Sequence, residues 1–242
     1  MTNPETLFVV GTPIGNREDI TLRALKILAA SEVIVCEDTR VTSRLLSLYD
    51  DQLWQALGVK PRKPHLARLD EAFEQRMIPK VIDWLETGTN VTLVTDAGMP
   101  CVSDPGWRVV NAVREQGFQV EVIPGPTALT TALAGVGMDT SKVWFGGFLP
   151  KKDKKRKEQF AWVQDQLQQE MISLAVWYES PNRLSEVLEE LQKLEDRSLK
   201  LAVCGELTKT HERIIRGTAD EVIAQLPKEI KGEWVVVLGK GK

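Results

Sequence analysis

Four short stretches of this sequence gather glycine, proline and small polar residues. They are Gly11-Thr12-Pro13-Ile14-Gly15-Asn16, Asp96-Ala97-Gly98-Met99-Pro100, Ser103-Asp104-Pro105-Gly106 and Pro124-Gly125-Pro126-Thr127-Ala128. Glycine lets the main chain approach a ligand closely, so its N–H and C=O groups can read that ligand directly. Turn-making alone explains any one of these stretches. Four of them, each just after a β-rich run, point to a small-molecule site beyond the carboxyl ends of the strands of an open α/β sheet.

The remaining chemistry-bearing residues lie in four charged clusters. Glu37-Asp38-Thr39-Arg40 reads either as a helix cap with a surface ion pair or as a polar wall of a cleft, with Arg40 set for phosphate or carboxylate. Tyr178-Glu179-Ser180-Pro181-Asn182-Arg183 and Glu206-Leu207-Thr208-Lys209 each follow a strand, and each is either a cap and turn or a loop facing a ligand. Lys151-Lys152-Asp153-Lys154-Lys155-Arg156-Lys157 holds six basic residues in seven, the electrostatic footprint of phosphate-backbone binding.

Several chemistries are excluded. There is no GxGxxG dinucleotide fingerprint, no GxxxxGK[ST] phosphate loop and no GxSxG nucleophile elbow. The two histidines, His65 and His211, and three scattered cysteines, Cys36, Cys101 and Cys204, give neither a disulfide framework nor zinc-ligand spacing, so no metal is expected. A cofactor held largely by backbone and carrying its own reactive group suits this inventory.

The elements that must position these groups alternate. Leu7–Val10, Val33–Cys36, Val91–Thr95 and Val120–Ile123 read as strands, separated by amphipathic helices. One helix follows Asn16 as N-cap, a second covers Thr39 to Tyr49, a third Glu71 to Glu86 apart from Pro79, and a fourth about Pro105 to Gln116. Residues 50–70, with Pro61 and Pro64, read as irregular. Pro124-Gly125-Pro126 is a hard break. Strands follow at Val143–Gly146, Ile172–Tyr178, Leu199–Cys204, Glu212–Gly217 and Glu233–Leu238, and the short link Leu207–His211 implies an antiparallel step. The fold class is therefore α/β, with a mainly parallel N-terminal sheet and a mixed C-terminal one. Its boundary falls near residues 115–125, giving domains of 1–118 and 119–242. The seven tryptophans form no evident stacking row and read mostly as core.

The 242 residues carry 31 basic and 34 acidic groups, a net charge of −3. Outside residues 151–157 the balance is 25 basic to 33 acidic, an acidic body with one cationic segment. No membrane span or signal peptide is read, and a reducing cytoplasm is the expected location.

Taken in order, Val9 to Asn16, Glu37 to Arg40, Asp96 to Pro100 with Ser103 to Gly106, and Gly147-Phe148-Leu149-Pro150 form a specific set. Tyr178 to Pro181, Glu206 to Lys209 and Lys231-Gly232-Glu233 continue it. Together they resemble the ribosomal RNA small-subunit methyltransferase I family of the tetrapyrrole methylase superfamily, over about Leu7 to Leu238. The resemblance implies two α/β domains with S-adenosylmethionine in the cleft between them, and a homodimer. It implies methyl transfer to the ribose 2′-hydroxyl of a cytidine in small-subunit (16S) ribosomal RNA, with the RNA or the assembled small subunit as partner.

Carried onto this chain, the cofactor contacts are Thr12, Pro13, Ile14, Asp96, Ala97, Gly98, Met99, Val102, Thr127 and Ala128. From the second domain come Tyr178, Glu179, Leu207, Thr208 and Gly232. Asp38, Arg40, Arg183 and Lys209 are the candidates for assisting the ribose hydroxyl. Lys151, Lys152, Lys154, Lys155, Arg156 and Lys157 are the candidates for RNA. Three departures fall on the substrate side: Arg68 to Phe73 replaces a His-Asn-Glu-bearing segment, Asn182 stands where histidine is usual, and Gly205 where arginine is usual. Two other readings are a same-fold methyltransferase acting on a tetrapyrrole or other small molecule, and a non-catalytic ribosome-binding relative.

Overall fold

The computed structural model describes residues 5–69, 74–194, 196 and 198–241. The chain forms two compact units, one running through Thr127 and the other starting at Ala128.

The first unit is built on β1 (Thr6–Val10), β2 (Val33–Cys36), β3 (His65–Arg68), β4 (Val91–Leu93) and β5 (Gln119–Ile123). They lie in the order β3-β2-β4-β1-β5, every pair parallel. The connecting helices are α1 (Leu22–Ala30), α2 (Thr39–Ser47), α3 (Asp51–Ala56), α4 (Glu74–Glu86) and α5 (Trp107–Glu115). Strand alternation divides the core by face. Leu7, Val9, Val33 and Val35 pack with Met77, Val81 and Leu85 of α4 and Val109 and Val113 of α5. Val10, Ile34 and Cys36 pack with Ala24, Leu25 and Leu28 of α1. The neighbours β1 and β4 send their connections in opposite directions, β1 to β2 and β4 to β5. The crevice at their carboxyl ends is thus the switch point of the sheet, where open α/β sheets hold ligands.

Three expectations shift. Asn16 caps only a short 3-10 turn, Arg17–Asp19, and α1 is capped by Thr21, whose hydroxyl accepts from the Ala24 N–H at 3.1 Å. Residues 50–69 are not irregular throughout: they hold α3 and β3, with 57–64 outside both. Asp50 accepts from the Leu53 N–H to start α3, and Trp54 is buried with its indole N–H on the Tyr49 carbonyl. β3 is concealed in the sequence because it is an edge strand with only Ala67 buried. The boundary lies at 127/128 rather than 118/119, since β5 completes the first sheet against β1. The departure at Arg68 to Phe73 and the start of the helix expected from Glu71 lie partly outside the described residues.

The second unit comprises α6 (Ala128–Val136), β6 (Val143–Phe148), α7 (Asp153–Gln168), β7 (Leu174–Glu179), α8 (Pro181–Gln192), β8 (Leu199–Gly205), β9 (Arg213–Gly217), α9 (Ala219–Gln225) and β10 (Trp234–Lys240). Its sheet order is β6-β7-β10-β8-β9. β6 is parallel to β7, β10 is antiparallel to both β7 and β8, and β8–β9 is the antiparallel step expected from the short link. One face carries Ala175, Trp177, Leu201, Val203 and Val236 against Phe160, Val163 and Leu167 of α7 and Leu184, Val187 and Leu188 of α8. Three tryptophans distant in sequence do meet here: Trp144 lies 5.1 Å from Trp162 and 5.8 Å from Trp177 between ring centroids. The glycine at position 205 has a local cause. A Cβ there would lie 2.6 Å from the Trp234 ring, so no side chain fits while that indole is in place. Among the described residues no helix is long and apolar enough to cross a membrane.

Candidate functional site

In the first unit the loops after β1, β4 and β5 meet. Thr12 and Gly98 pair as an isolated antiparallel bridge: the Thr12 N–H donates to the Gly98 carbonyl at 2.9 Å and the Gly98 N–H to the Thr12 carbonyl at 3.1 Å. The buried Thr12 hydroxyl donates to the Thr95 carbonyl at 3.1 Å. Gly11 and Gly125 lie so close that a Cβ on Gly11 would stand 2.7 Å from the Gly125 Cα and 2.6 Å from the Met99 sulfur. Both positions therefore exclude a side chain. Among the sequence-predicted residues, Thr12, Ile14, Gly98 and Met99 are brought together around these contacts, with Pro13 and Ala97 in the same loops. The Val102 N–H donates to the Met99 carbonyl at 3.4 Å in the next turn. Thr127 ends the first unit and Ala128 opens α6 in the second.

Asp96 joins this group to β2. Its carboxylate accepts the Asp38 main-chain N–H at 3.0 Å. Burial, the largest influence, pushes the Asp96 carboxyl above its ordinary value, and the neighbouring Asp38 charge pushes the same way. The Asp38 side chain caps α2 through the Arg40 N–H at 2.8 Å and pairs with the Arg40 guanidinium at 2.5 Å. The Arg40 side chain, followed by its main-chain N–H, holds the Asp38 carboxyl well below the usual carboxylate range. Arg40 is otherwise exposed, at the mouth of a depression lined by Thr39, Ser43, Arg44, Ser47 and Leu66.

Sequence reasoning does not reach two residues of this unit. Glu74 is buried and caps α5 in place of a side-chain N-cap: its Oε1 accepts from the Gly106 and Arg108 N–H groups at 2.9 and 3.0 Å, and its Oε2 pairs with Arg108 at 2.7 Å. It thereby holds the downstream end of the 96–106 turns. Between those turns, Cys101 and Ser103 both adopt positive φ, a strained arrangement for non-glycine residues. Thr95 is buried and its Oγ1 has no hydrogen-bond partner. Its position directly before Asp96, at a strand end, is the available signal.

In the second unit, Trp234 stands opposite both Glu179 and Gly205 in the sheet register, so the ends of β7 and β8 and the start of β10 share one edge. Tyr178, Glu179, Leu207, Thr208 and Gly232 all lie at or beside that edge. Glu206 and Thr208 adopt positive φ. The place a Cβ on Gly232 would take is filled by the Glu206 carboxylate. Glu179 is 1% exposed. Its Oε1 accepts from the Ser180 N–H at 2.6 Å and pairs with Arg183 at 2.7 Å, whereas its Oε2 is buried without a hydrogen-bond partner. A buried carboxylate oxygen left unpaired is costly and calls for a donor.

The four candidates for assisting a hydroxyl thus differ. Arg183 is committed within its own unit: besides Glu179, it donates to the Leu149 and Pro150 carbonyls at 3.1 and 3.3 Å. Lys209 pairs with Glu206 at 2.8 Å. Asp38 and Arg40 hold each other at a helix start. None of the cysteines competes as a nucleophile, since burial pushes Cys101 up to about 11 and Cys204 up to about 12, with Cys36 also raised.

The basic run needs one correction. Arg156 is 1% exposed and cannot meet a phosphate. It donates to Glu190 at 2.7 and 2.8 Å, to the Pro150 carbonyl at 3.3 Å and to Asp153 at 3.3 Å, and it contacts Glu186. The carboxylates of Asp153, Glu186 and Glu190 come together around this guanidinium. Helical spacing explains the exception, because Arg156 lies on the same face of α7 as Phe160 and Val163. Lys151, Lys152, Lys154, Lys155 and Lys157 are exposed.

Comparison with known proteins places this geometry in context. The family model described as Tetrapyrrole (Corrin/Porphyrin) Methylases matches residues 6–223. The chain is 41% identical over 236 residues to Ribosomal RNA small subunit methyltransferase I of Hydrogenobaculum sp. (strain Y04AAS1), spanning 97% of this chain and 95% of that protein. It is 39% identical over 234 residues to the protein of the same name from Thermotoga maritima, spanning 96% and 97%. Among solved structures, the methyltransferase CobJ superposes with a TM-score of 0.68 at 17% identity over 98% of this chain and 95% of that one. Uroporphyrin-III C-methyl transferase from Thermus thermophilus, complexed with S-adenyl homocysteine, superposes at 0.60 and 18% identity over 97% of each.

Proposed function

The chain belongs to the ribosomal RNA small subunit methyltransferase I family of the tetrapyrrole methylases, and from that premise we propose that it methylates small-subunit ribosomal RNA from S-adenosylmethionine, at the 2′-hydroxyl of a cytidine ribose. The observation that carries this reading is the backbone-lined loop set at the switch point of the first sheet, closed by the Thr12–Gly98 bridge and the Gly11–Gly125 approach. The residues present fit the cofactor. The unpartnered Glu179 Oε2 is an acceptor for an N–H or hydroxyl donor, and Thr95 Oγ1 is a second unspent polar atom. In the first unit Thr12, Ile14, Asp96, Gly98, Met99 and Thr127 would hold it; within the second unit Tyr178, Glu179, Leu207, Thr208 and Gly232 are the proposed contacts. When bound, S-adenosylmethionine supplies an electrophilic methyl group on a sulfonium.

The chain's own part is mainly orientation, because displacement at a methyl carbon needs the hydroxyl held in line rather than a covalent nucleophile. Asp38, kept ionised by Arg40, is suited to accept the hydrogen bond of a ribose hydroxyl. Arg40 is suited to steady developing negative charge on that oxygen. Arg183 and Lys209 enter as positioning residues, through Glu179 and Glu206. The exposed lysines after Pro150 support RNA, whose backbone carries one negative charge per phosphate. A homodimer in the cytoplasm belongs to the same proposal.

The test is transfer of labelled methyl from S-adenosylmethionine to isolated small ribosomal subunits, with the modified nucleotide mapped. Label on a cytidine 2′-oxygen is the expected result. Transfer to a tetrapyrrole alone, or to no acceptor, overturns the reading.

A further inference from the structure

Phe148 ends β6 with its side chain 53% exposed. A single exposed ring is ordinary on a protein surface, but this one has a ring partner and stands beside a hydrogen-bonded turn. Its ring meets Tyr178 edge to face at 5.6 Å, and Tyr178 is itself braced by Phe145 at 5.0 Å and by the Leu129 N–H on its phenol oxygen at 3.2 Å. The register between β6 and β7 is irregular between Phe145 and Phe148. Immediately afterwards the chain is tied down: the Leu149 N–H donates to the Tyr178 carbonyl, Arg183 takes the Leu149 and Pro150 carbonyls, and Arg156 takes the Pro150 carbonyl as well.

The next residues are the exposed Lys151 and Lys152, followed by Lys154 and Lys155 in the first turn of α7. Cations at a helix N-terminus oppose the helix dipole; this terminus has no side-chain cap, and the acidic residue of its first turn, Asp153, is paired with Arg156. Two locally unfavourable choices, an aromatic ring in water and ammonium groups at a helix start, thus stand within a few residues on a rigid segment. Lys151 follows Phe148 by three residues, at most about 11 Å of extended chain. One ligand chemistry satisfies both: a flat apolar surface flanked by negative charge, which is an unstacked base between its phosphates.

We infer that the Phe148 ring is a stacking platform for an unpaired base of the RNA acceptor, beside the lysines that meet the flanking phosphates. This rests on the RNA reading above and adds to it a residue that recognises the base rather than the charge. Arg156 and Arg183 are positioning residues for this platform, because they fix the turn that joins ring to lysines.

The test uses the full chain with a short single-stranded cytidine oligoribonucleotide and the same oligomer made abasic, both followed by fluorescence anisotropy. Phe148→Ala should weaken binding of the cytidine oligomer about tenfold or more, the scale of removing one base–aromatic stack. It should leave the abasic oligomer, the salt slope and calorimetric binding of S-adenosylmethionine unchanged, and Phe148→Trp should restore affinity. An Ala variant within about twofold of wild type on the cytidine oligomer overturns the inference. So does an equal loss on both oligomers. A parallel fall in sedimentation coefficient overturns it too, by making the ring a contact between copies of the chain. Failure of the wild-type chain to bind either oligomer or small ribosomal subunits sinks the RNA reading itself. Normal methylation of subunits with an unaffected Phe148→Ala variant sinks the platform alone.

Discussion

Arg156 grips Glu190 with two hydrogen bonds, Nε to Oε2 at 2.7 Å and Nη2 to Oε1 at 2.8 Å, and so fastens the first turns of α7 to the last turns of α8. The pair is buried on the arginine side, and Glu190 is nearly so. Removing one partner of such a pair leaves the other charge uncompensated. Arg156→Gln is therefore expected to lower unfolding free energy by about 3 kcal/mol in a denaturant titration. Arg156→Met combined with Glu190→Leu should recover most of that loss, because apolar isosteres of a buried pair are well tolerated. A single variant as stable as the wild type would show that Arg156 does not fasten the helices.

Glu179→Gln tests the unpaired carboxylate oxygen. The amide keeps the shape but loses the charge, and can place a donor where an acceptor is required. Binding of S-adenosylmethionine, measured by calorimetry, should weaken by about 10- to 100-fold, the range for a hydrogen bond involving a charged group. Since Glu179 also pairs with Arg183, thermal unfolding of the same variant should be recorded. A variant with unaltered affinity would remove Glu179 from the cofactor site.

The two aspartates at the switch point titrate in opposite senses. Asp38 is held low by Arg40, so its pairing stabilises the fold above the ordinary carboxylate range, and that contribution is lost as pH falls through the depressed value. Asp96 is raised by burial, so its charge opposes folding, and stability falls as pH rises through its elevated value. Carbon-detected NMR should find Asp96 titrating above Asp38. Asp38→Asn should move the Asp96 midpoint downward, because the Asp38 charge is one of the influences raising it. A midpoint that stays in place or climbs would contradict the electrostatic coupling.

Replacing Lys151, Lys152, Lys154 and Lys155 together with glutamine should flatten the salt dependence of binding to small-subunit RNA. Every single-strand phosphate deprived of its lysine reduces the steepness of the log–log slope by about 0.7, so four give a change of about 3. Arg156 is left out of this set because it is buried. An unchanged slope would place the phosphate-binding surface elsewhere, with the Arg40 and Arg44 side of α2 the next to try.

The turns around Gly11, Asp96 and Pro124 are legible in the sequence because what they require, a close backbone approach, leaves few residue choices. The role of Arg156 is not legible. Two of its three carboxylate partners, Glu186 and Glu190, lie about thirty residues away on α8, and in the linear sequence it is one more cation among the lysines beside it. Arg183 reads as a reactive candidate for the same reason: the carbonyls it holds, at Leu149 and Pro150, lie on the far side of α7 in the chain. β3 escapes notice because an edge strand with one buried residue lacks the alternation that marks a strand. Glu74 looks like one more acid on an amphipathic helix, and only its capping of α5 sets it apart.

The position of β10 has a consequence for biosynthesis. Among the described strands it is the last in chain order, yet it lies between β7 and β8 and hydrogen-bonds to both. Until it emerges from the translating ribosome, the second sheet exists only as two halves with open inner edges, the kind of surface that invites wrong pairing. Translation that stops short of Trp234 leaves β7 and β8 unjoined, and with them the edge that carries Glu179, Thr208 and Gly232. The closing strand thus gates the assembly of that edge: β7 and β8 are joined only once Trp234–Lys240 has been made.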